Sequence, residues 1–344
     1  MRKMCLDMVY ELAKQDERVH FVGSDLGHGT LEDFQQEYPD RFFMEGISEM
    51  NVVGLAAGLA MEGCVPYVNT IATFLTRRCY EQVAMDVCHG NLPVRLIGNG
   101  GGLVYAPLGP THEAIEDIAI MRALPNMTIV APADAEEMRQ FMRVSVEHQG
   151  PIYIRLAKGY DPIVTNPDAV FEIGKAVSMR EGGDALLVTT GIGLGICLDA
   201  AASLAARGVE VGILHMPTIK PLDVATLRSR FEGVRAIVSV EEHSIIGGLG
   251  SAVAELIAET GFDIPKQFRR LGLPDVYPGQ YGSQASQLEH FGLTATGVAE
   301  TVSELITKST TRSRVFTQQP KGGTKWESTR RSSPPYTRGQ HGTA

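Results

Sequence analysis

The chain has 344 residues, 44% hydrophobic and 21% charged, and its 31 Lys and Arg against 40 Asp and Glu give a formal charge of −9. That length suffices for two hydrophobic cores, and an acidic body without a basic cluster excludes nucleic acid as the natural partner. Apolar runs such as residues 52–61 are too short to span a bilayer, acidic residues enter the amino terminus too early for a signal peptide, and the five cysteines form no CxxC pair, so a cytoplasmic protein with reduced thiols and no membrane segment is expected.

In chain order, the first half alternates candidate strands at 19–23, 67–69, 94–98, 128–131 and 152–155 with helical patterns at 51–63, 74–89, 114–123 and 134–148. Short continuous apolar runs separated by helices predict a parallel sheet covered on both faces. The pattern pauses at 159–171, where Asp161-Pro162 and Asn166-Pro167 mark turns. It resumes with strands at 185–190, 209–214 and 236–240 and helices near 194–206, 224–231 and 250–258. The prediction is an α/β protein of two doubly wound domains, 1–163 and 164–310. From Thr311 to Ala344 seven Lys and Arg face one acid, Glu327, leaving the first 310 residues with 24 basic and 39 acidic side chains. That basic, Pro-, Gly-, Ser- and Thr-rich stretch is predicted to be a disordered tail, because it lacks the apolar surface to offset the entropy of ordering.

Two glycine-rich stretches need a decision. Residues 190–195 (TGIGLG) follow a strand and open a helix, but the spacing is GxGxG and the next strand leads to His215 and Met216, where a ribose-binding carboxylate belongs. A tight strand-to-helix turn is the better account. Residues 99–102 (NGGG) lack the Lys-Ser/Thr of a phosphate loop and read as a flexible loop, at a strand end where open parallel sheets bind ligands. No HExxH, paired Cys and His set or Asp-rich loop offers a metal site.

Residues 43–60 (FMEGISEMNVVGLAAGLA) place one carboxylate, Glu49, at the mouth of a helix that is otherwise small or apolar and therefore buried on most sides. A first-turn acid favoured by the helix dipole, with Ser48 as N-cap, accounts for this as well as chemistry does. Its company favours chemistry: VNTIATFLTRRCYEQVAMDV (68–87) and PLGPTHEAIEDIAIMRALPNMTIVAPADAEE (107–137). With IKPLD (219–223) and EEHSIIGGLGSAVAE (241–255), these stretches resemble the transketolase family over nearly all of residues 1–310.

The resemblance implies a parallel-sheet, pyrimidine-binding domain over 1–163 and a smaller, mixed-sheet transketolase C-terminal domain over 164–310. It implies thiamine diphosphate as cofactor, with Glu49 hydrogen-bonded to N1′ of the aminopyrimidine so that the exocyclic nitrogen can take a proton from thiazolium C2. Phe74 matches the aromatic that stacks on the pyrimidine, Tyr80 another ring-side position, and Asp25 a position near the cofactor. His112, in GPTH, matches the histidine that faces the reacting carbons. Read without the family, Phe74 and Tyr80 are core residues, His112 is structural and Asp25 is a turn residue.

Departures from the family pattern carry expectations too. The GDG…N signature that holds Mg²⁺ against the diphosphate is missing, which implies a second subunit carrying that domain and the metal, in an α2β2 assembly with active sites between chains. The Asp expected before the Gly of GPTH is Leu108, and residues 100–102 are glycines where a phosphate-binding His or Arg is usual. Gly29 replaces a serine, beside His28. Lys158, with Arg155 three residues earlier, stands at a downstream phosphate-binding Arg position. His28, Lys158 and Arg155 are thus the candidate substrate residues. The expected activity is transfer of a two-carbon ketol, or an acyl unit, to an aldehyde acceptor. A decarboxylating synthase of the deoxyxylulose-phosphate type, a 2-oxoacid dehydrogenase β-type subunit, and a non-catalytic scaffold are the alternatives.

Overall fold

The computed structural model of the chain describes residues 1–24, 31–157 and 161–317, with 308–317 as backbone. Asp25, His28 and Lys158 therefore lie outside the described residues. In chain order the elements are α1 (Arg2–Gln15), β1 (Val19–Gly23), α2 (Glu32–Glu37), β2 (Phe42–Met44), α3 (Glu49–Met61), β3 (Val65–Ile71), α4 (Tyr80–Gln82), β4 (Arg95–Asn99), α5 (Asp117–Arg122), β5 (Thr128–Val130), α6 (Ala135–Ser145) and β6 (Ile152–Leu156). There follow β7 (Val177–Arg180), β8 (Ala185–Thr189), α7 (Gly193–Ala205), β9 (Val211–His215), β10 (Thr218–Lys220), α8 (Val224–Glu232), β11 (Ala236–Ser244), α9 (Leu249–Glu259), β12 (Gln267–Leu273), α10 (Gln284–His290) and α11 (Ala295–Thr317).

The strands form two sheets, ordered β10-β5-β6-β4-β3-β1-β2 and β12-β11-β8-β9-β7. Every pairing in the first is parallel except β10 with β5, and in the second all are parallel except β7 with β9. The two doubly wound α/β units are as the alternation predicts. Strands β4, β6, β8 and β9 are buried along their whole length, which is why they read as continuous apolar runs rather than alternating ones. On one face of the first sheet Leu6, Val9, Phe21 and Phe141 pack together, and on the other Val52, Val53, Leu96 and Ile118 do. Helices α7 and α11 cover one face of the second sheet through Leu194, Ala201, Val298 and Val302, and α8 and α9 cover the other through Leu227, Phe231 and Val253. No helix among the described residues is long and apolar enough to cross a membrane.

Several local expectations are corrected. The helix expected over 74–89 is broken into a π turn (Phe74–Arg78), the single turn α4 and a second π turn (Val83–Cys88). Helix α11 runs through Thr317, so residues 311–317 of the expected disordered tail are helical, and the rest of that tail lies outside the described residues. The NGGG segment is a packed crossing, not a flexible loop. Gly101 donates to the Leu156 carbonyl at 2.9 Å, and Gly102 exchanges backbone bonds with Ala114 at 2.8 and 3.0 Å. A Cβ on Gly102, whose φ is +68°, would stand 2.4 Å from Cδ of Glu242 on β11. The TGIGLG turn is close packing of the expected kind: a Cβ on Gly193 would meet Thr189 Oγ1 at 2.5 Å and the Val240 carbonyl oxygen at 3.1 Å.

Candidate active site

The first sheet gathers its functional candidates at the carboxyl ends of parallel strands, where the chain leaves each strand and turns back. Beyond β2, Glu45 and Gly46 donate to the carbonyls of Gly23 and Ser24, which carries the segment alongside the end of β1 and starts α3 at Glu49. Ser48 occupies the N-cap but makes no capping bond; its hydroxyl donates instead to the Glu45 carbonyl at 2.9 Å. Because α3 buries Val52, Val53, Ala56, Ala57 and Ala60, its first residue is drawn in with it, and Glu49 is only 3% exposed.

A carboxylate so deep needs a partner. It has one in Arg78, whose Nη1 donates to Glu49 Oε2 at 2.5 Å. The same guanidinium lies over the Phe74 ring, 4.3 Å from its centroid. His112 also meets Phe74, edge-on, with centroids 5.2 Å apart and an interplanar angle of 66°. Glu49, Arg78, Phe74 and His112 thus form one continuous row. The π turn permits this: Arg78 is directed at Glu49 while its neighbour Arg77 reaches the loop bearing His112, donating to the carbonyls of Pro110, Thr111 and Glu113 and pairing with Glu116 at 3.1 Å. The His112 loop closes tightly. His112 N–H donates to the Gly109 carbonyl at 2.9 Å, Thr111 Oγ1 lies 2.9 Å from His112 Nδ1, and Gly109 has φ +76°.

The remaining sequence candidates fall elsewhere. Tyr80 packs against the core beneath α3, with its hydroxyl 3.4 Å from the Ile120 carbonyl oxygen, and it is not brought into the row. Arg155 is buried at the junction of the two sheets. It donates to Asp117 (Nε to Oδ2, 2.8 Å), to the Ala114 carbonyl (3.2 Å) and to the Glu242 carbonyl (2.8 Å), so its guanidinium serves packing between the units rather than a substrate phosphate. Burial acts to raise the Asp117 carboxyl, but Arg155 and His243 outweigh it and hold that carboxyl below its usual range. Arg78 and Arg77 were not among the sequence candidates. The RR pair within 68–87 was the signal, but nothing in its spacing says that one arginine faces a buried acid.

Comparison with known proteins gives the family of the chain. The family model described as the transketolase pyrimidine binding domain matches residues 1–160, and that described as the transketolase C-terminal domain matches residues 174–298. A 6-deoxy-6-sulfo-D-fructose transketolase subunit from a Clostridium species is 35% identical over 314 residues, covering 91% of this chain and 96% of that one. The chain belongs to the transketolase family. A subunit of an apulose-4-phosphate transketolase from Phocaeicola vulgatus is 35% identical over 309 residues, covering 89% of this chain and 97% of that one. A solved structure described as a split gene transketolase, an inactive beta4 tetramer, superposes with a TM-score of 0.81 at 36% identity, covering 89% of this chain and 98% of that chain. The chain corresponds to the C-terminal section of a split transketolase and is one subunit of a thiamine-diphosphate-dependent transferase.

The row fits the aminopyrimidine half of that cofactor. A buried carboxylate stands beside a flat aromatic face, and between them the structure holds a planar, nitrogen-edged cation, the Arg78 guanidinium, which has the shape and donor chemistry of an aminopyrimidine edge. For the metal, the described residues contain no group of three or more His, Cys, Asp or Glu that could hold an ion.

Proposed function

We propose that this chain supplies the pyrimidine-binding half of a split transketolase-like enzyme that moves a two-carbon ketol unit from a sugar-like donor to an aldehyde. The observation that carries the reading is the placement of a buried carboxylate, Glu49, within one row with an aromatic face and a histidine at the strand ends. When bound, thiamine diphosphate supplies a nucleophilic carbon and an electron sink for breaking the bond beside a ketone. Glu49 holds a proton at N1′ of its aminopyrimidine, Phe74 gives the ring a stacking face and excludes water from it, and His112 holds or moves a proton at the donor oxygen.

A partner subunit carries the diphosphate-binding domain and the Mg²⁺, the assembly is α2β2, and the location is the cytoplasm. The likeness to a β-only tetramer described as inactive supports the need for that partner. Leu108 leaves an exposed apolar side chain two residues before Pro110 of the GPTH loop, which favours a less polar contact there than the family's acid would make. Lys158 and His28 are the proposed cationic and polar contacts to the substrate, and Asp25 to the cofactor.

Reconstitution tests the reading. The purified chain alone is expected to show no ketol transfer, and addition of a polypeptide bearing the GDG…N domain, with Mg²⁺ and thiamine diphosphate, is expected to create it. Turnover by the chain alone would contradict the split, and release of CO₂ from pyruvate by the pair would favour a decarboxylating synthase.

A further inference from the structure

We propose that Arg78 is a displaceable stand-in for the cofactor's aminopyrimidine: its guanidinium occupies the seat between Glu49 and Phe74 in the free subunit and leaves when the ring enters. The inference rests on the reading of Glu49 as the cofactor acid and goes beyond it, since that reading assigns nothing to Arg78.

Two independent contacts define the seat, and Arg78 makes both. It donates to the Glu49 carboxylate at 2.5 Å, as a protonated ring nitrogen would, and its guanidinium carbon lies over the Phe74 ring, 4.3 Å from the centroid, where a stacked ring would lie. One planar group cannot share these contacts with another. A ring that stacks on the same face of Phe74 and bonds the same oxygen of Glu49, Oε2, must therefore move the guanidinium aside.

The structure makes that exit easy for Arg78 and hard for its neighbour. The Arg78 side chain is 40% exposed, so its charge can return to water without crossing protein. Among the described residues Glu49 is its ion-pair partner and Phe74 its ring contact. Arg77, by contrast, is bolted to three carbonyls and Glu116 and cannot follow. Arg78 also closes the π turn, and the next residue, Cys79, departs from helical geometry with φ −101° and ψ 17°, so its swing does not require unwinding a regular helix. The stand-in has a physical purpose. Without it, Glu49 would be a buried acid with no side-chain donor shown among the described residues, and the mouth of α3 would be destabilised until the cofactor arrived.

The test uses the full-length chain and thiamine, which carries the aminopyrimidine without the diphosphate, with binding read by ligand-observed NMR into the millimolar range. Arg78→Ala is expected to bind thiamine about tenfold more tightly than the wild type. Methylguanidinium at millimolar concentration is expected to reverse that gain in the variant and to leave the wild type unchanged. Arg78→Lys should fall between them, because an ammonium pairs with Glu49 but offers no flat face; it retains the charge and keeps the test valid should the alanine variant fold poorly. Glu49→Gln in the same titration separates the two claims. If it weakens thiamine binding while Arg78→Ala gives no gain, or if methylguanidinium has no effect on Arg78→Ala, the stand-in is wrong and the Glu49 reading stands. If Glu49→Gln binds thiamine as the wild type does, the seat itself is misassigned and both fall.

Discussion

Glu113 follows His112 in the chain, yet its surroundings are the reverse of those of Glu49. Both are buried, but Glu49 has a guanidinium, whereas neither carboxyl oxygen of Glu113 has a hydrogen-bond partner among the described residues. Burial, with the nearby Glu242, pushes the Glu113 carboxyl up to about 7. The folded protein therefore keeps a proton that the unfolded chain releases near its ordinary value of about 4.3. Stability from this group is full below that value, falls as the pH rises towards about 7, and is flat above it. Glu113→Gln removes that loss, so its melting temperature should exceed the wild type's by several degrees at pH 8 and by little at pH 5. A gap that does not widen with pH would show that Glu113 ionises freely. In the sequence, Glu49 was legible because an acid opening an apolar helix is conspicuous. Arg78 and Glu113 were not, because their meaning lies in what faces them across the fold.

At the scale of elements, the strands of both sheet centres were readable because parallel strands buried on both faces leave uninterrupted apolar runs. Edge strands were not. Strand β10 is three residues long and pairs antiparallel with β5, about 90 residues earlier, while β12 leaves Arg269 and Arg270 exposed and so shows no apolar run. Helix α11 was not among the expected elements, for a different reason. Val298, Ala299, Val302 and Leu305 anchor its early turns against the second sheet, and the helix then propagates into polar residues that composition alone assigns to coil.

Helix α6 was placed well because Asp134 marks its start. Its carboxylate accepts from the backbone of Glu136 and Glu137 at 2.9 and 3.0 Å, and also from that of Val164 and Thr165, each at 2.8 Å, which ties down the segment leading to the second sheet. Burial acts to raise this carboxyl, but the bonds from Glu137, Val164 and Thr165 outweigh it and hold it low. Its contribution is present above the unfolded value of about 3.9 and is lost as the pH falls through the lowered folded value. Asp134→Ala removes a cap and strands further donors, and should cost roughly 2–4 kcal/mol in urea unfolding at pH 7. A cost below about 0.5 kcal/mol, the floor for an ordinary cap, would mean that the carboxylate is dispensable.

For the whole molecule, the two sheets are joined by buried polar contacts. Arg155 reaches from β6 to Asp117 and to the Glu242 carbonyl, Glu242 accepts from Leu103 N–H at 2.9 Å, and Arg122 reaches the Gly247 carbonyl at 2.5 Å and Glu255 at 2.7 Å. These contacts explain the crossing glycines at 101 and 102, which the sequence alone presented as a loop. They also hold α5 and the segment that follows His112 against the second sheet, so the His112 end of the row is positioned by both units. The family motifs conveyed the fold and pointed to Glu49, but the junction depends on contacts between the units such as that of Arg155 with the Glu242 carbonyl, 87 residues apart in the chain, and left no local pattern.

The central claim is that Glu49 activates thiamine diphosphate within the assembled enzyme. It is tested most directly by the rate of deuterium exchange at C2 of the bound cofactor in the reconstituted pair. Glu49→Gln is predicted to slow that exchange by about 10²–10⁴-fold, with the mass of the assembly unchanged. Exchange at the wild-type rate would contradict the account and leave the chain a scaffold that has kept the fold.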